Sequence, residues 1–287
     1  MNRTIFLNGD FVDSSVAKVS VFERGLLFGD GIYEVTAVVN GRLLDFDLHI
    51  DRLFKSADAI GLSVPLSRHQ WREVHERLVR SNELVEGIVY IQVTRGAAER
   101  DFTFDRSMAP LAFGFTQEKH LCATEKLHKG IAAEIVDDLR WKRRDIKSTS
   151  LLAQVLAKQH ASLNGAGESL LHENGVITEG GSTSVFAVDR DGVLRTHPLG
   201  PSILPGITRH VVLELARSES IKVLEEAIKL DELFEMREIF VTGTTYFVVP
   251  VVRIGSVSIN QASVGPATKR LQKLYIDRAK ALCVPGG

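Results

Sequence analysis

The chain has 287 residues, of which 44% are hydrophobic and 25% are charged, the composition of an ordinary globular protein large enough for two domains. Lys and Arg number 35 against 36 Asp and Glu, so there is no overall positive field, and nucleic-acid binding as the main function is disfavoured. The two cysteines lie far apart, the histidines lack metal-binding spacing, and no apolar run has the length of a membrane span. We therefore expect a protein of the reducing cytoplasm without a metal or a membrane partner.

The first 118 residues predict hairpins and helices, which together indicate an N-terminal α+β domain. In "IFLNGDFV" and "EVTAVVNGRLLDF" an Asn-Gly pair stands between apolar, β-branched residues, a strong signal of a β-hairpin. "DFDLHIDRLFKSADAIGL" has helical spacing, with Asp45 or Asp47 as the candidate N-cap and Gly61 as the stop. A second helix is predicted after the cap Ser67, and strands are predicted at "GIVYIQVTRG" and "APLAFGFTQ".

The polar stretch that follows lacks clean periodicity and is predicted to be an interdomain linker, residues 119–130. A C-terminal domain, residues 131–287, then continues the mixture, with hairpins turned at Asn174-Gly175 and Asp191-Gly192. Helices are predicted within "TSLLAQVLAKQHASLN", "ITRHVVLELARSE", "KLDELFEM" and "PATKRLQKLYIDRAKAL", and strands within "IAAEIV", "EIFVTGT" and "YFVVPVVRIG". This order indicates a two-domain α+β protein, and the missing GxGxxG and Walker A patterns disfavour nucleotide cofactors.

The run "RWKRRDIKSTS", residues 140–150, contains the lysine on which the functional interpretation depends. Four cations occupy five positions ahead of Lys147, and such runs are usually solvated faces. Lys147 is predicted to end a strand-like segment that places Trp141, Arg143, Asp145 and Lys147 on one face. Neighbouring cations and desolvation favour a neutral, nucleophilic amine, so the pattern permits a reactive lysine without requiring one.

Three further segments could bind an anionic, ring-containing ligand. In "ILPGITRHVV" a helix starts directly after Pro-Gly, which exposes unpaired N–H groups beside Thr208, and "VTGTTYF" adds Thr244 and Thr245 at a strand end. In "VITEGGSTSVFAV" a carboxylate, Glu179, stands between a strand and a Gly-rich run. Each segment alone could be an ordinary cap or turn. Together with a lysine they supply the groups that pyridoxal phosphate requires.

Six segments occur in an order that resembles a known family: "ERGLLFGDGIYEV", "HIDRL", "VTRG", "RWKRRDIKS", "VITEGGSTSVF" and "ILPGITR". The resemblance is to the fold-type IV pyridoxal-phosphate enzymes, which include branched-chain and D-amino-acid transaminases and aminodeoxychorismate lyase. It spans roughly residues 5–275 and is strongest to the bacterial D-amino-acid (D-alanine) transaminases. It implies the two-domain α+β architecture of fold type IV, the cofactor pyridoxal 5′-phosphate, amino-acid and 2-oxo-acid substrates, and a homodimer.

The resemblance also implies a role for each matching residue. Lys147 would be the Schiff-base lysine and the base that moves a proton between the substrate Cα and the cofactor. Glu179 would pair with the protonated pyridine nitrogen, Leu204 would lie against the ring, and Arg140 would lie near the 3′ oxygen. The residues that would bind the phosphate are Arg52, Ile207, Thr208, Thr244 and Thr245.

The implied substrate site departs from the family pattern at one position. D-Amino-acid transaminases bind the substrate carboxylate with a tyrosine and with an Arg-x-His pair from the partner subunit. Tyr33 and Arg100 match the tyrosine and the arginine, but Phe102 stands at the position of the histidine. A charge-assisted hydrogen bond is worth roughly 1.5–3 kcal/mol, so affinity for small D-amino acids should drop or the pocket should favour bulkier side chains. The alternative role of Arg100 is a surface ion pair with Glu99 or Asp101.

The function predicted from the sequence is transfer of an amino group from a D-alanine-like amino acid to a 2-oxo acid such as 2-oxoglutarate or pyruvate. Branched-chain L-amino-acid transaminase, (R)-amine transaminase and aminodeoxychorismate lyase share the cofactor residues and remain alternatives. A different class of alternative is a protein without enzymatic activity that binds anions or nucleic acid through the basic run 140–147.

Overall fold

The computed structural model describes residues 3–284, which divide by their contacts into two units. The first unit contains the described chain up to His120, the segment Ile146–Ser150 and the described residues from Ala279 onward. The second contains Leu121–Asp145 and Leu151–Arg278. Each unit combines a sheet with helices, so the predicted α+β class is confirmed.

The first unit is built on a six-stranded antiparallel sheet in the order β2-β1-β6-β5-β3-β4. Its strands are β1 (Thr4–Leu7), β2 (Asp10–Asp13), β3 (Gly31–Val39), β4 (Arg42–Leu43), β5 (Gly87–Thr94) and β6 (Leu111–Glu118), and its helices are α1 (Arg24–Phe28), α2 (Phe46–Ala59) and α3 (Arg68–Ser81). Both predicted hairpins form, because Asn8-Gly9 and Asn40-Gly41 adopt the positive φ angles that a tight hairpin turn requires.

The two long helices of this unit begin in different ways. Ser67 caps α3 as predicted, because its hydroxyl accepts from the Gln70 N–H while the Gln70 side chain accepts from the Ser67 N–H. Asp45 precedes α2 but forms no side-chain cap hydrogen bond, so that predicted cap is wrong. The reason is its left-handed backbone, with φ of 54°, because an N-cap side chain reaches the first turn from extended backbone.

Helix α2 buries one face against the sheet through apolar residues three and four positions apart: Phe46, Ile50, Leu53 and Ala57. The same face buries two polar side chains, His49 and Arg52. Along β3 buried and half-buried residues alternate from Ile32 to Thr36, and Glu34 is one of the buried ones. The amphipathic pattern that packs this core therefore also brings charged groups inside it.

The second unit contains one large mixed sheet in the order β12-β11-β10-β14-β15-β7-β8-β9-β13, with β16 paired to β15. Its strands are β7 (Ile131–Asp137), β8 (Glu168–Glu173), β9 (Val176–Gly180), β10 (Ser184–Val188), β11 (Leu194–Thr196), β12 (Val223–Glu225), β13 (Ile228–Lys229), β14 (Glu238–Gly243), β15 (Phe247–Ile254) and β16 (Val257–Ser258). The remaining helices of the chain are α4 (Glu125–Lys129), α5 (Leu152–Leu163), α6 (Ile207–Ser218), α7 (Leu230–Leu233), a 3₁₀ turn (Asn260–Ala262) and α8 (Pro266–Leu282). Both predicted hairpins of this part, β8–β9 and β10–β11, are present.

The structure differs from the sequence prediction around Lys147. Strand β7 ends at Asp137, and the chain up to helix α5 is irregular, so the predicted strand-like alternation that ends at Lys147 is wrong. The segment Ile146–Ser150 groups with the first unit, not with the later part of the chain, because Ser148 bridges Ile32 and Ile146 lies in the first unit's core. The predicted linker 119–130 contains the short helix α4.

No helix within residues 3–284 combines the length and the hydropathy of a membrane span. The same residues contain no cluster of three or more His, Cys, Asp or Glu side chains that could bind a metal ion.

Candidate active site

Lys147 is held by its backbone inside the first unit. Its N–H donates to the Ser56 hydroxyl on α2 at 3.1 Å, and its carbonyl accepts from the Tyr33 N–H at 3.1 Å. The Lys147 side chain is half-buried, and its Nζ lies 4.2 Å from the centre of the Tyr33 ring. The structure thus brings together the predicted reactive lysine and the predicted substrate tyrosine.

Tyr33 belongs to a row of aromatic rings on one face of the first sheet. Its ring stacks on Tyr90 with a centroid distance of 5.5 Å, and Tyr90 stacks on Phe115 at 4.9 Å. Burial raises the pKa of the Tyr90 phenol, whose hydroxyl donates to Gln92. These stacked rings give Tyr33 a rigid backing next to the lysine.

Arg52 is buried on α2, where its guanidinium pairs with Glu34. Arg52 Nε lies 2.6 Å from Glu34 Oε1 and Nη2 lies 2.9 Å from Oε2, while His49 Nδ1 lies 2.8 Å from the same Oε2. Burial alone would raise the pKa of Glu34, but Arg52 and His49 hold it well below the usual range. Glu34 therefore orients the guanidinium that the family resemblance assigns to the cofactor phosphate.

Glu179 is the central buried acid of the second unit. It lies on β9, its Oε1 accepts from Arg140 Nη1, and its Oε2 accepts from the Leu204 N–H at 3.0 Å. Burial raises the pKa of Glu179, although Arg140 and the Leu204 N–H oppose the shift. Two predicted residues, Glu179 and Leu204, are therefore in direct contact. The negative charge of the Glu179 carboxylate is only partly compensated, so it can still attract another cation.

Arg140 divides its hydrogen bonds between two carboxylates. Its Nε and Nη2 donate to Asp138 at 2.8 and 2.6 Å, and only Nη1 donates to Glu179. Thr178 also donates to Asp138, at 2.6 Å. Burial would raise the pKa of Asp138, but these donors lower it. The role of Arg140 near the cofactor's 3′ oxygen remains a prediction.

The basic run before Lys147 is an ion-pair network instead of a bare cationic surface. Each of its four cations has a carboxylate partner in the second unit: Arg140 with Asp138 and Glu179, Lys142 with Glu173, Arg143 with Asp145, and Arg144 with Glu173 and Asp138. These pairs neutralise the charge that a polyanion would need. The alternative of a protein without enzymatic activity that binds anions or nucleic acid through residues 140–147 therefore loses its physical basis.

The predicted phosphate residues at helix α6 lie beside a close approach of the Gly206 backbone to the Ser184 side chain. Helix α6 starts at Ile207, Thr208 is buried in its first turn, and the cap Gly206 brings no side chain to accept from the first N–H groups. A Cβ at position 206 would lie 2.7 Å from the Ser184 hydroxyl, so only glycine fits there. Ser184 is in turn paired with Thr242 across β10 and β14.

Thr244 and Thr245 lie in the tight turn that joins β14 to β15, two and three residues beyond Thr242. The buried Thr242 hydroxyl has no hydrogen-bond partner within residues 3–284. The turn is held by Lys126, whose amine donates to the Thr245 carbonyl at 2.9 Å. An uncapped helix start beside several hydroxyls fits a phosphate group, because both supply donors to an anion.

A buried network supports this turn from behind. Glu168, with no solvent exposure, pairs with Lys158 at 3.1 Å and accepts from the Thr183 hydroxyl at 3.1 Å. Lys158 also donates to the Tyr246 hydroxyl at 2.7 Å. Burial opposes the charge on Lys158, but Glu168 and Tyr246 raise its pKa. The network connects Thr183, directly before β10, to the turn that carries Thr244 and Thr245.

Arg100 and Phe102 lie on the exposed loop between β5 and β6. Phe102 is 78% exposed, and the Arg100 guanidinium lies 5.2 Å from the Phe28 ring centre and 5.6 Å from that of Phe102. Within the described chain Arg100 forms no ion pair with Glu99 or Asp101, so the surface-pair alternative has no support. The carboxylate role of Arg100 and the effect of Phe102 remain predictions.

Three residues that hold the predicted site residues were not predicted from the sequence: Glu34, His49 and Asp138. A signal existed for Glu34, since a charged residue stands at an inward position of the apolar strand "GIYEVTAVV". A buried carboxylate there requires a cationic partner. No comparable signal identified Asp138 as the residue that competes for Arg140.

Comparison with known proteins places the chain in a family. Residues 31–254 match the model of the amino-transferase class IV family. A D-alanine aminotransferase from Staphylococcus aureus is 40% identical over 94% of this chain and 95% of its own length, and one from Bacillus licheniformis is 38% identical over 93% and 94%. The chain belongs to the class IV aminotransferases.

Solved structures agree with this assignment. A branched-chain aminotransferase from Escherichia coli superimposes with a TM-score of 0.91 at 24% identity, covering 100% of this chain and 97% of that one. The enzyme from Thermoproteus uzoniensis, solved with norvaline, gives 0.85 at 27% identity, covering 99% and 98%. The predicted fold type IV architecture, the resemblance to D-alanine transaminases, the aminotransferase class and its cofactor pyridoxal 5′-phosphate are confirmed.

Proposed function

We propose that this aminotransferase moves an amino group from a D-amino acid, with D-alanine as the model donor, to a 2-oxo acid such as 2-oxoglutarate or pyruvate. The observation that carries the proposal is the position of the Lys147 amine over the Tyr33 ring at 4.2 Å. This contact supports the proposal, because Lys147 would be the reacting amine and Tyr33 would bind the substrate carboxylate. The D-alanine aminotransferases at 38–40% identity support the choice of donor.

Bound pyridoxal 5′-phosphate supplies an aldehyde that takes up the amino group and a ring that accepts electrons released at the substrate Cα. Lys147 would hold the cofactor through this aldehyde, and its Nζ would carry the proton to and from the substrate Cα. Its backbone bonds to Ser56 and Tyr33 would keep the amine near Cα. The Tyr33 hydroxyl donates to the substrate carboxylate.

Glu179 keeps the ring nitrogen protonated. Its carboxylate is buried and accepts only one N–H from Arg140 and one from Leu204, so it can accept a further hydrogen bond from a cationic ring. Arg140 would stay beside it, near the 3′ oxygen, and Leu204 would pack against the ring. The residues that would hold the phosphate are Arg52, Ile207, Thr208, Thr244 and Thr245, and Glu34 fixes the direction of the Arg52 guanidinium.

The active form is proposed to be a homodimer in which Arg100 serves the partner's substrate site. Exposed apolar side chains support a further protein contact, since α5 exposes Leu152, Val155 and Leu156, and Phe102 is exposed in the other unit. Because Phe102 replaces a hydrogen-bond donor, the enzyme should tolerate bulkier side chains better than a histidine-bearing relative would. Location in the cytoplasm remains a prediction.

A branched-chain L-amino-acid transaminase is the second candidate. The T. uzoniensis branched-chain aminotransferase supports it at 27% identity. The two candidates share the cofactor residues and differ in the hand of the donor. A panel of D- and L-alanine, L-leucine and an (R)-amine with 2-oxoglutarate or pyruvate separates them, and pyruvate release without an acceptor would indicate the lyase.

The decisive test of the chemistry is Lys147→Ala. We expect this variant to lose turnover, and we expect borohydride reduction of the wild-type holoenzyme to label the peptide that contains Lys147. Lys142→Ala is the matched control, because Lys142 is a lysine of the same run with an exposed side chain and should leave turnover unchanged. Labelling of another lysine, or normal turnover by Lys147→Ala, would contradict the assignment.

A further inference from the structure

The loop that carries Arg100 has no regular structure of its own. We call residues 95–110, between β5 and β6, the β5–β6 loop, and most of its side chains beyond Gly96 are exposed. Holding an exposed loop in one conformation costs chain entropy. Stabilising contacts are therefore required if Arg100 is to bind a substrate carboxylate in a defined geometry.

Arg24 provides that hold from a buried position. Its Nη1 donates to the carbonyl of Asp101 at 2.6 Å and to that of Thr103 at 3.4 Å, and its Nη2 donates to that of Phe102 at 3.4 Å. The guanidinium carbon lies 4.7 Å from the Phe28 ring centre. The planar guanidinium of Arg24 therefore binds the three consecutive carbonyls that follow Arg100.

Asp30 fixes Arg24 in place. Arg24 Nε and Arg95 Nε each lie 2.9 Å from the same oxygen, Asp30 Oδ2. Arg95 in turn donates to the carbonyls of Ile60 and Gly61 at 3.0 and 2.9 Å, which ties the cluster to the end of α2. Burial would raise the pKa of Asp30, but the two arginines lower it. The carboxylate thus stays ionised between them.

The same cluster lies next to the strand that carries Tyr33. Asp30 immediately precedes β3, and the Arg95 N–H donates to the Asp30 carbonyl at 3.1 Å. The Arg24 N–H also donates to the carbonyl of Gly96 at 2.9 Å. One set of contacts therefore orders both the β5–β6 loop and the start of strand β3, whose first residues contact the Lys147 segment.

We propose that Arg24 is a positioning residue for substrate carboxylate recognition, acting through Arg100. This inference rests on the proposed function, because it takes Arg100 as the residue that meets the amino-acid carboxylate. Arg24 itself touches neither substrate nor cofactor. It sets where the Arg100 guanidinium stands by holding the three carbonyls that follow it.

The test is Arg24→Lys, which keeps a cation beside Asp30 but cannot bridge three carbonyls. We expect KM for D-alanine to rise about tenfold, the effect of one lost good hydrogen bond, while kcat stays within about twofold and cofactor affinity is unchanged. Arg72→Lys is the control, because Arg72 likewise pairs with one carboxylate, Asp47, and lies over one aromatic ring, Phe46, but neither group belongs to the β5–β6 loop. It should leave KM unchanged.

Hydrogen exchange of the holoenzyme separates this role from general destabilisation. Peptides from the β5–β6 loop should exchange faster in Arg24→Lys and at the wild-type rate in Arg72→Lys. In an Arg100→Ala background, Arg24→Lys should add no further rise in KM, since both changes act on one contact. A KM increase that persists in that background, or unaltered loop exchange in Arg24→Lys, overturns the proposal.

Two safeguards keep the outcomes distinct. If Arg24→Lys does not fold, Asp30→Asn loosens Arg24 without removing it and should raise KM by a smaller factor with the same loop exchange. If wild-type holoenzyme uses no D-amino acid, the proposed function fails, whereas a wild-type KM in Arg100→Ala overturns the proposed role of Arg24 in carboxylate recognition. The exchange comparison then still decides whether Arg24 holds the loop.

Discussion

Two buried glutamates, one in each unit, have the same type of partner and opposite electrostatics. Glu34 in the first unit is fully buried and pairs with Arg52, while Glu179 in the second unit is almost as buried and pairs with Arg140. The pKa of Glu34 lies well below the usual range, but that of Glu179 is raised. Burial is similar in both, so the difference arises from how each arginine is used.

Arg52 gives two N–H groups to Glu34, and His49 adds a third contact. Arg140 instead gives two of its three contacts to Asp138, whose charge also repels Glu179. Glu34 is therefore satisfied by the protein itself and serves to orient Arg52. Glu179 is left under-compensated, which is the state expected of a carboxylate that waits for the cation of a bound ring.

The largest expected effect is on turnover. Glu179→Gln removes the charge that keeps the ring nitrogen protonated, so kcat should fall on the order of 10²–10³-fold while the cofactor still binds. Glu34→Gln should leave more of kcat and weaken cofactor affinity, because Arg52 loses its orientation. Steady-state kinetics together with cofactor titration by absorbance measure both. Equal loss of kcat in the two variants would remove the distinction drawn between these acids.

The second effect is on the stability of the cofactor-free protein. Glu34→Gln leaves Arg52 buried without its carboxylate and should cost about 3 kcal/mol of unfolding free energy, whereas Glu179→Gln should cost less than about 1 kcal/mol because Arg140 keeps Asp138. Urea unfolding at pH 7 measures both values. A larger loss in Glu179→Gln than in Glu34→Gln would contradict the comparison.

The pH dependence of that difference follows from the sign of each shift. A lowered pKa in the folded protein means that Glu34 stabilises fully above its ordinary pKa and loses this contribution as the pH falls. The cost of Glu34→Gln should therefore be complete at neutral pH and start to shrink below pH ~4.3. For Glu179 the raised pKa has the opposite sign, so its ionised form destabilises at neutral pH and the wild type gains as the pH falls.

The smallest effect is expected from Asp138→Asn, which should make Glu179 resemble Glu34. Removing the Asp138 charge lowers the pKa of Glu179 and leaves Arg140 more fully to it, so Glu179 holds the ring nitrogen less strongly. We expect kcat to fall by less than about tenfold. Asp137→Asn is the control, because Asp137 is an exposed neighbour whose carboxylate pairs with His172 instead of with Arg140. Equal effects of the two substitutions would show that Asp138 does not tune Glu179.

Much of the secondary structure was predictable because its signals are local. Asn8-Gly9 and Asn40-Gly41 turn their hairpins, and Ser67 with Gln70 caps α3, since each signal involves residues within a few positions. Asp45 shows the limit of such signals. Its residue type suits a cap, but its backbone is left-handed in the fold and its side chain forms no cap hydrogen bond.

The strand expected to end at Lys147 failed for a tertiary reason. Alternation in "RWKRRDIK" suggested one polar face, but the cations pair with carboxylates at Asp138, Asp145, Glu173 and Glu179. The lysine segment then pairs with Gly31 and Tyr33 of the first unit. Most of these partners are distant in sequence from the run, so no local pattern could reveal them.

The chemistry of each candidate group was determined by the sequence alone: one lysine after a basic run, one acid before Gly-Gly, and hydroxyls beside a helix that starts after Pro-Gly. Only the tertiary structure decided that the charge of Glu34 is compensated by its protein partners and that the charge of Glu179 is compensated only in part. The reason is that desolvation and Coulomb interaction depend on distances through space, and Asp138, Glu179 and Leu204 meet only in the folded chain.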